Sequence, residues 1–143
     1  MKKGQISIEL MIIIGFILIF FIPLLLISYF QILELNEDLS NIQANVAVSR
    51  LVNTINSVGR MGSESSVIMD IYLPANSEIT FKGYDKGGEI LLTLEKTSGL
   101  SSIVGFTWFS INTDPTFSSL KGGSHYRFNI TSIEDQVNVT LVN

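Results

Sequence analysis

Few side chains in this sequence have the type and spacing that chemistry at a protein site requires. His125 is the only histidine and there is no cysteine, so a zinc site would need carboxylates that the pattern does not identify. Asp85 and Glu89 flank glycines but lack the dense oxygen ligands of a calcium loop. The KGG segment at 121–123 lacks the spacing and the following helix of a phosphate loop. We therefore predict no enzyme, no metal site and no cofactor.

The carboxylate with the most unusual position is Glu9, at the start of a long apolar run. No residue from Leu10 to Leu33 is charged, and as a helix this run would span about 36 Å, enough to cross a bilayer. Lys2 and Lys3 precede the run and acidic residues follow it, which predicts a cytoplasmic N-terminus and an external remainder. A carboxylate near a bilayer is costly unless it has a partner.

Two ordinary explanations of this segment fit poorly. A secretory signal peptide has an apolar region of roughly 7–15 residues before a small-residue cleavage site, whereas this run is longer and no such site follows it. A plain signal-anchor explains the lysines and the apolar run. It gives no purpose to Glu9 or to the polar stretch at 5–7.

The segment KKGQISIEL resembles the class III signal peptide of archaeal type IV pilin-like proteins, which reads K-K-G, then Q-x-S-x-E, then an apolar run. The resemblance implies that a prepilin-type peptidase cuts between Gly and Gln and leaves the apolar helix on the mature chain. Residues 1–4 would be the leader, and the serine and glutamate would serve assembly. The matching residues are Lys2, Lys3, Gly4, Gln5, Ser7 and Glu9.

Cleavage would create a new α-amino group on Gln5, and Glu9 then has a physical role. In a bundle of apolar helices a lone carboxylate is expensive, and the amino terminus of a neighbouring subunit can neutralise it. Such a pair contributes little net energy but penalises wrong axial registers. Gln5 and Glu9 are also four apart, so the pair can form within one chain. In a third interpretation, Glu9 marks the water interface.

The helix is predicted to continue beyond the span at 5–33 as an amphipathic spine over 34–60, giving one helix from about Ile6 to Val58. Pro23 removes a backbone donor and predicts a kink; type IV pilins often have a proline at similar depth, and membrane helices in general also use prolines. Gly59 and Gly62 are candidate stops. The apolar positions of the spine are Leu35, Leu39, Ile42 and Val46, then, rotated somewhat, Val48, Leu51 or Val52, Ile55 and Val58.

After Gly62 the apolar period changes to two, which indicates strands. The predicted strands are SVIMDIYL, EITFKGY, EILLTLEK, VGFTWFSIN, HYRFNIT and QVNVTLV. Five or six antiparallel strands with one face on the helix give an α+β fold: one long N-terminal helix followed by a small antiparallel β-sheet head at 61–143, with a pilin-like outline.

Two sequons, Asn129-Ile130-Thr131 and Asn138-Val139-Thr140, matter only in an exported domain. Both asparagines are predicted opposite the apolar faces of their strands. If Thr131 pairs with Gln136, the two asparagines lie side by side, so we expect at most one to be heavily glycosylated. Alternatively, Asn and Thr simply suit an exposed sheet face.

The three aromatic residues Phe106, Trp108 and Phe109 share one predicted strand. We expect them in the core or in a subunit interface rather than in a ligand platform.

The net charge is −4, and it becomes −6 if the two leader lysines are lost (7 basic against 13 acidic residues). Nucleic acid is therefore not an expected partner. The resemblance implies a major or minor subunit of an archaeal type IV pilus-like surface filament, serving adhesion or surface attachment. Its partners would be the prepilin peptidase, the membrane before assembly, and other pilin subunits. The alternative is a membrane-anchored, non-polymerising extracellular protein for binding or filament assembly.

Overall fold

The computed structural model describes the backbone of residues 2–114 and 119–142, and the side chains from Ile8 onward. Within these ranges one long helix precedes eight strands, which confirms the predicted α+β layout. The elements are α1 (Lys2–Met61), β1 (Ser66–Leu73), β2 (Ser77–Gly83), β3 (Gly88–Lys96), β4 (Gly99–Thr107), β5 (Ser110–Thr113), β6 (Ser119–Lys121), β7 (Ser124–Ile133) and β8 (Gln136–Leu141).

Two compact units divide the chain between Asp38 and Leu39. The first contains only the N-terminal part of α1, and its helical backbone continues through Pro23. The kink expected at this proline stays a prediction. The second unit contains the last turns of α1 and all eight strands, and we call it the head.

The C-terminal end of α1 confirms one predicted stop and corrects the other. The helix ends at Met61, and Gly62 has a φ of +93°, the left-handed conformation with which glycine commonly ends helices. Gly59 lies inside α1, where the ring of Phe109 occupies the space that a Cβ would need. This glycine therefore permits a close contact instead of ending the helix.

The strands form two four-stranded sheets rather than one. The strand orders are β1-β7-β8-β5 and β4-β3-β2-β6. Neighbouring strands are antiparallel except β5 and β8, which pair in parallel. The described head has two more strands than the six predicted segments. One predicted strand is divided into β4 and β5, and β6 has only three residues, too few to show an alternating apolar pattern.

The predicted strand VGFTWFSIN is interrupted at its centre, where the chain passes from one sheet to the other. The Thr107 hydroxyl donates to the carbonyl oxygen of Phe109 at 2.9 Å, and the Trp108 amide donates to Oδ1 of Asn56 on α1 at 2.9 Å. Such side-chain bonds offer the backbone an alternative to a strand ladder. The chain therefore turns here although the apolar alternation continues across the turn.

The head has one apolar core to which both sheets and α1 contribute. The rings of Phe81 on β2 and Phe128 on β7 meet edge to face with centroids 6.0 Å apart, which joins the two sheets. The inward faces predicted for β1, β3, β7 and β8 are confirmed. The largest fully buried side chains are Phe128, Leu51, Ile55, Leu73, Ile79, Ile90, Leu92, Leu94, Ile130, Val58, Val137 and Val139.

The hairpin of β7 and β8 is tighter than predicted, and its register differs by two residues. Ile133 faces Gln136, so Glu134 and Asp135 alone make the turn, with Glu134 at a φ of +54°. A two-residue connection with a left-handed first residue matches the twist of the strands it joins. The longer loop expected over 132–135 is therefore wrong.

Candidate functional site

The N-terminal part of α1 presents an apolar surface that the described chain does not cover. Every residue from Ile8 to Leu33 is exposed except Gly15, which is half buried. Helix α1 is long and apolar enough to cross a membrane, and none of its most apolar window is buried, unlike the core helix of a soluble protein. This surface is compatible with a membrane anchor.

The predicted leader and assembly residues lie at the start of this helix. Residues 2–7, which include Lys2, Lys3, the Gly4–Gln5 junction and Ser7, belong to the backbone of α1, but their side chains lie outside the described part of the chain. Glu9 is described, and its side chain is exposed. Its pairing with an amino terminus stays a prediction.

Within the head, α1 has two apolar faces in opposite environments. One face carries Leu51 and is buried against the strands. The other carries Leu39, Ile42 and Val46, each more than half exposed, and we call these three residues the outer stripe. The buried face consists of Ala44, Ala47, Val48, Leu51, Ile55 and Val58.

These two faces correct the sequence-based expectation that the second group of apolar positions is only somewhat rotated from the first. Nine residues separate Ile42 from Leu51, which is about two and a half helical turns. The two side chains therefore point to opposite sides of α1. Only the second group of apolar positions contributes to the core.

The outer stripe borders strand β1 across an open groove of about 280 Å³, lined in part by Ile42, Val46 and Tyr72. Arg50 adds a charge to the lining. The Tyr72 ring also lies against the ring of His125, with centroids 5.0 Å apart. The groove is therefore apolar along the helix, with polar groups at its rim.

The charged groups of the head form local pairs rather than a reactive cluster. Arg127 donates to both carboxylate oxygens of Asp70, at 2.8 and 3.3 Å, which lowers the pKa of Asp70 and raises the pKa of Arg127. The Tyr84 hydroxyl donates to Glu89 at 2.9 Å, which raises the pKa of that tyrosine. Among the described residues, no three His, Asp or Glu side chains are grouped as metal ligands would be.

The two sequons lie on neighbouring strands in a crossed arrangement. Asn129 faces Thr140, and Thr131 faces Asn138, so each asparagine is opposite the threonine of the other sequon. The expected side-by-side pairing of the asparagines is wrong because the hairpin turn is shorter. They are diagonal neighbours, roughly 7–8 Å apart, and glycans on both would still be crowded. Asn129 Oδ1 is buried without a hydrogen-bond partner.

The aromatic cluster is divided between core and surface. Phe109 is half buried, and its ring packs against Gly59 of α1. By contrast, Phe106 is 70% exposed and Trp108 is 76% exposed. The guanidinium carbon of Arg60 lies 5.7 Å from the centroid of the Trp108 ring. The expected position in the core is therefore wrong for Phe106 and Trp108. Their position in a subunit interface stays a prediction.

Comparison with known proteins finds no match to a family model, a curated protein or a solved structure.

Proposed function

We propose that this chain is a structural subunit, major or minor, of a type IV pilus-like surface filament of the archaeal kind that KKGQISIEL resembles. A prepilin-type peptidase cuts the precursor between Gly4 and Gln5. Helix α1 then leaves the membrane and packs among the α1 helices of other subunits. The filament serves adhesion or surface attachment.

The outer stripe is the observation that carries this proposal. A helix that only anchors a protein needs apolar surface across about 30 Å of hydrocarbon, and Leu10–Leu33 already provides it. Leu39, Ile42 and Val46 come after the acidic residues that follow this span, and they are exposed on the helix face opposite the core. Their spacings of three and four are those of a face that packs on another helix.

The position of Glu9 supports the same proposal. In a bundle of apolar helices its carboxylate becomes costly without a positive partner. The amino terminus created at Gln5 supplies that charge, and only helices in the correct axial register bring the two groups together. The apolar surface of α1 then drives packing, and Glu9 selects the register.

The alternative is an anchored head that binds a partner and never polymerises. The groove beside Tyr72 favours it, because an apolar segment of a partner can lie along Ile42 and Val46 there. Abundance in sheared surface fractions separates the two functions, since only a polymer is released by shear.

The first experiment determines the N-terminus of the chain by mass spectrometry in membrane and sheared surface fractions. We expect a start at Gln5 in the sheared fraction. The Gly4→Val variant should keep its leader and stay in the membrane, and Glu9→Ala should be cleaved but depleted from the sheared fraction.

Glu34→Ala is the matched control, because it removes a carboxylate at the other end of the span and should leave cleavage and release unchanged. An uncleaved chain found only in membranes would contradict the filament and leave the anchored head. Equal losses in Glu9→Ala and Glu34→Ala would show that Glu9 has no special role.

A further inference from the structure

The groove between α1 and β1 has a charged residue in its lining. Gln43 and Arg50 of α1 line this groove together with Tyr72 of β1. Arg50 is exposed, and the salt bridge found among the described residues joins Asp70 and Arg127 instead. A partner that covers the groove therefore gains most if it places a carboxylate opposite Arg50.

Three residues on one side of α1 lie along or beside this groove. Leu39 is 52% exposed, Gln43 follows four residues later, and Arg50 follows eleven residues later. Residues four and eleven apart on an α-helix lie within about 40° of each other. The three side chains therefore form one line, which we call the groove line, and its order is apolar, glutamine, basic.

The same order recurs on the N-terminal part of α1 with the opposite charge. Ile27 is 59% exposed, and Gln31 and Asp38, which follow it by four and eleven residues, are also exposed. We call these three residues the acidic line. Each of them comes twelve positions before its counterpart in the groove line. The two lines therefore match apolar with apolar, amide with amide, and acid with base.

We propose that the groove binds the acidic line of a second copy of this chain, with the two α1 helices parallel. A parallel arrangement makes all three contacts at once. An antiparallel arrangement would place Asp38 against Leu39 and Ile27 against Arg50, which leaves both charges without a partner. The three facing pairs are Ile27 with Leu39, Gln31 with Gln43, and Asp38 with Arg50.

The agreement of charge and spacing identifies a second copy as the occupant. Any apolar segment can cover Ile42 and Val46, but the acidic line also supplies an amide and a carboxylate at the positions where the groove line needs them. Complementary charges of this kind fix the register of a contact. Because each copy has both lines and different lines meet, the contact is heterologous, and such contacts can continue from copy to copy into an open filament.

The contact displaces the two copies along their helices by twelve residues, which is about 18 Å. Parallel helices emerge from one membrane in the same direction. Copies inserted to the same depth, however, hold Ile27 within the span and Leu39 beyond it. The contact therefore forms only after the copy with the acidic line has moved outward, and this step rests on the filament in the proposed function.

The displacement agrees with the register proposed for Glu9. An amino group on Gln5 that is level with Glu9 of a neighbour displaces the two copies by four residues, about 6 Å. Three such steps in the same direction make twelve residues. A single axial step of about 6 Å per copy therefore permits both contacts in one assembly.

Disulfide formation in sheared surface fractions tests the facing glutamines. The sequence has no cysteine, so a chain with Gln31→Cys and Gln43→Cys has only the two introduced thiols and keeps both charges of the contact. Each copy then carries one thiol of each line. Mild oxidation should therefore link the copies into a ladder of multimers, whereas either single variant should stay monomeric.

Gln31→Cys combined with Asn45→Cys is the matched control. Asn45 is an exposed amide residue close in height to Gln43, but two residues turn an α-helix by about 200°, so it lies on the other side of α1. We expect no ladder from this variant. Equal ladders from both pairs, or none from either, overturn the proposal. A ladder as strong in membranes as in sheared fractions overturns the twelve-residue displacement.

Exchange of the two charges tests the ion pair. Asp38→Arg and Arg50→Asp should each lower the amount released by shear about two- to fivefold, the effect of one exposed ion pair. The chain with both changes has opposite charges again and should recover its release. Glu34→Arg combined with Arg50→Asp is the control, because Glu34 lies one turn before Asp38, and it should not recover. Unchanged release in the single variants, or no recovery in the exchange, overturns the pairing.

These outcomes separate the groove contact from the filament itself. A wild-type chain that starts at Gln5 and is released by shear, while the paired cysteines give no ladder, overturns only the groove contact. A wild-type chain that stays uncleaved in membranes contradicts the filament, and the groove contact with it.

Discussion

The two faces of α1 predict opposite results for the same kind of truncation. Leu51 has no exposed surface and lies in the core. Truncating a buried leucine to alanine costs about 2–5 kcal/mol, a large part of the about 5–15 kcal/mol that stabilises a domain. Ile42 is 60% exposed on the outer stripe, and Ile42→Ala should change the stability of the head by no more than about 0.5 kcal/mol.

Assembly, unlike the stability of the head, should be sensitive to truncation of the outer stripe. Complete burial of an aliphatic side chain contributes about 1.5–3 kcal/mol. Because 60% of Ile42 is still uncovered, its burial against another helix would add about 1–2 kcal/mol per copy. This corresponds to roughly a tenfold change in the affinity of each contact, so Ile42→Ala should deplete the sheared fraction.

Pulse proteolysis of the full chain in urea measures the stability of the head, and immunoblotting of sheared fractions measures assembly. We expect Leu51→Ala to lower the urea midpoint strongly and Ile42→Ala to leave it near wild type. Asn53→Ala is the control for assembly, because Asn53 is exposed and lies about three turns from Ile42 on the same side of α1. It should change neither readout.

Two results would refute this reasoning. If Ile42→Ala destabilised the head as much as Leu51→Ala does, the outer stripe would be covered within the protein itself. If Ile42→Ala left the sheared fraction at the wild-type level, the stripe would not be the contact between helices.

Three further predictions follow from the head. Gly105→Ala places a Cβ 2.6 Å from the Val52 side chain, and we expect about 1–3 kcal/mol of destabilisation by overpacking; pulse proteolysis should show partial rescue by Val52→Ala, and no rescue would contradict this contact. Asp70→Asn should lower Tm slightly at neutral pH. Because the folded pKa of Asp70 is below its ordinary value of 3.8, the stability from its ion pair is present above that pH and is lost as the pH falls through the folded pKa; melting curves that do not converge in acid would contradict this. The intact mass of the exported protein should show one glycan, on either Asn129 or Asn138; a doubly modified chain would contradict crowding at the two sequons, and a bare chain would contradict their use.

The amino-acid sequence by itself determined the features that depend on neighbouring residues. The uncharged run from Leu10 to Leu33 specifies a helix long enough for a bilayer, because each apolar residue contributes separately to the free energy of transfer from water into lipid. Gly62 ends α1 because glycine adopts a left-handed conformation without strain. Alternating apolar residues specified the buried faces of β1, β3, β7 and β8, since side chains on a strand alternate between its two sides.

Only the tertiary structure decided which of these surfaces are covered. The spacing of Leu39, Ile42 and Val46 is visible in the sequence, but their exposure depends on how α1 lies on the sheets of the head. The passage between sheets at Trp108 requires Asn56 on α1, a bond between residues far apart in sequence. The parallel pairing of β5 with β8 likewise depends on strands that meet only in the folded head, where packing between distant segments decides which strands pair.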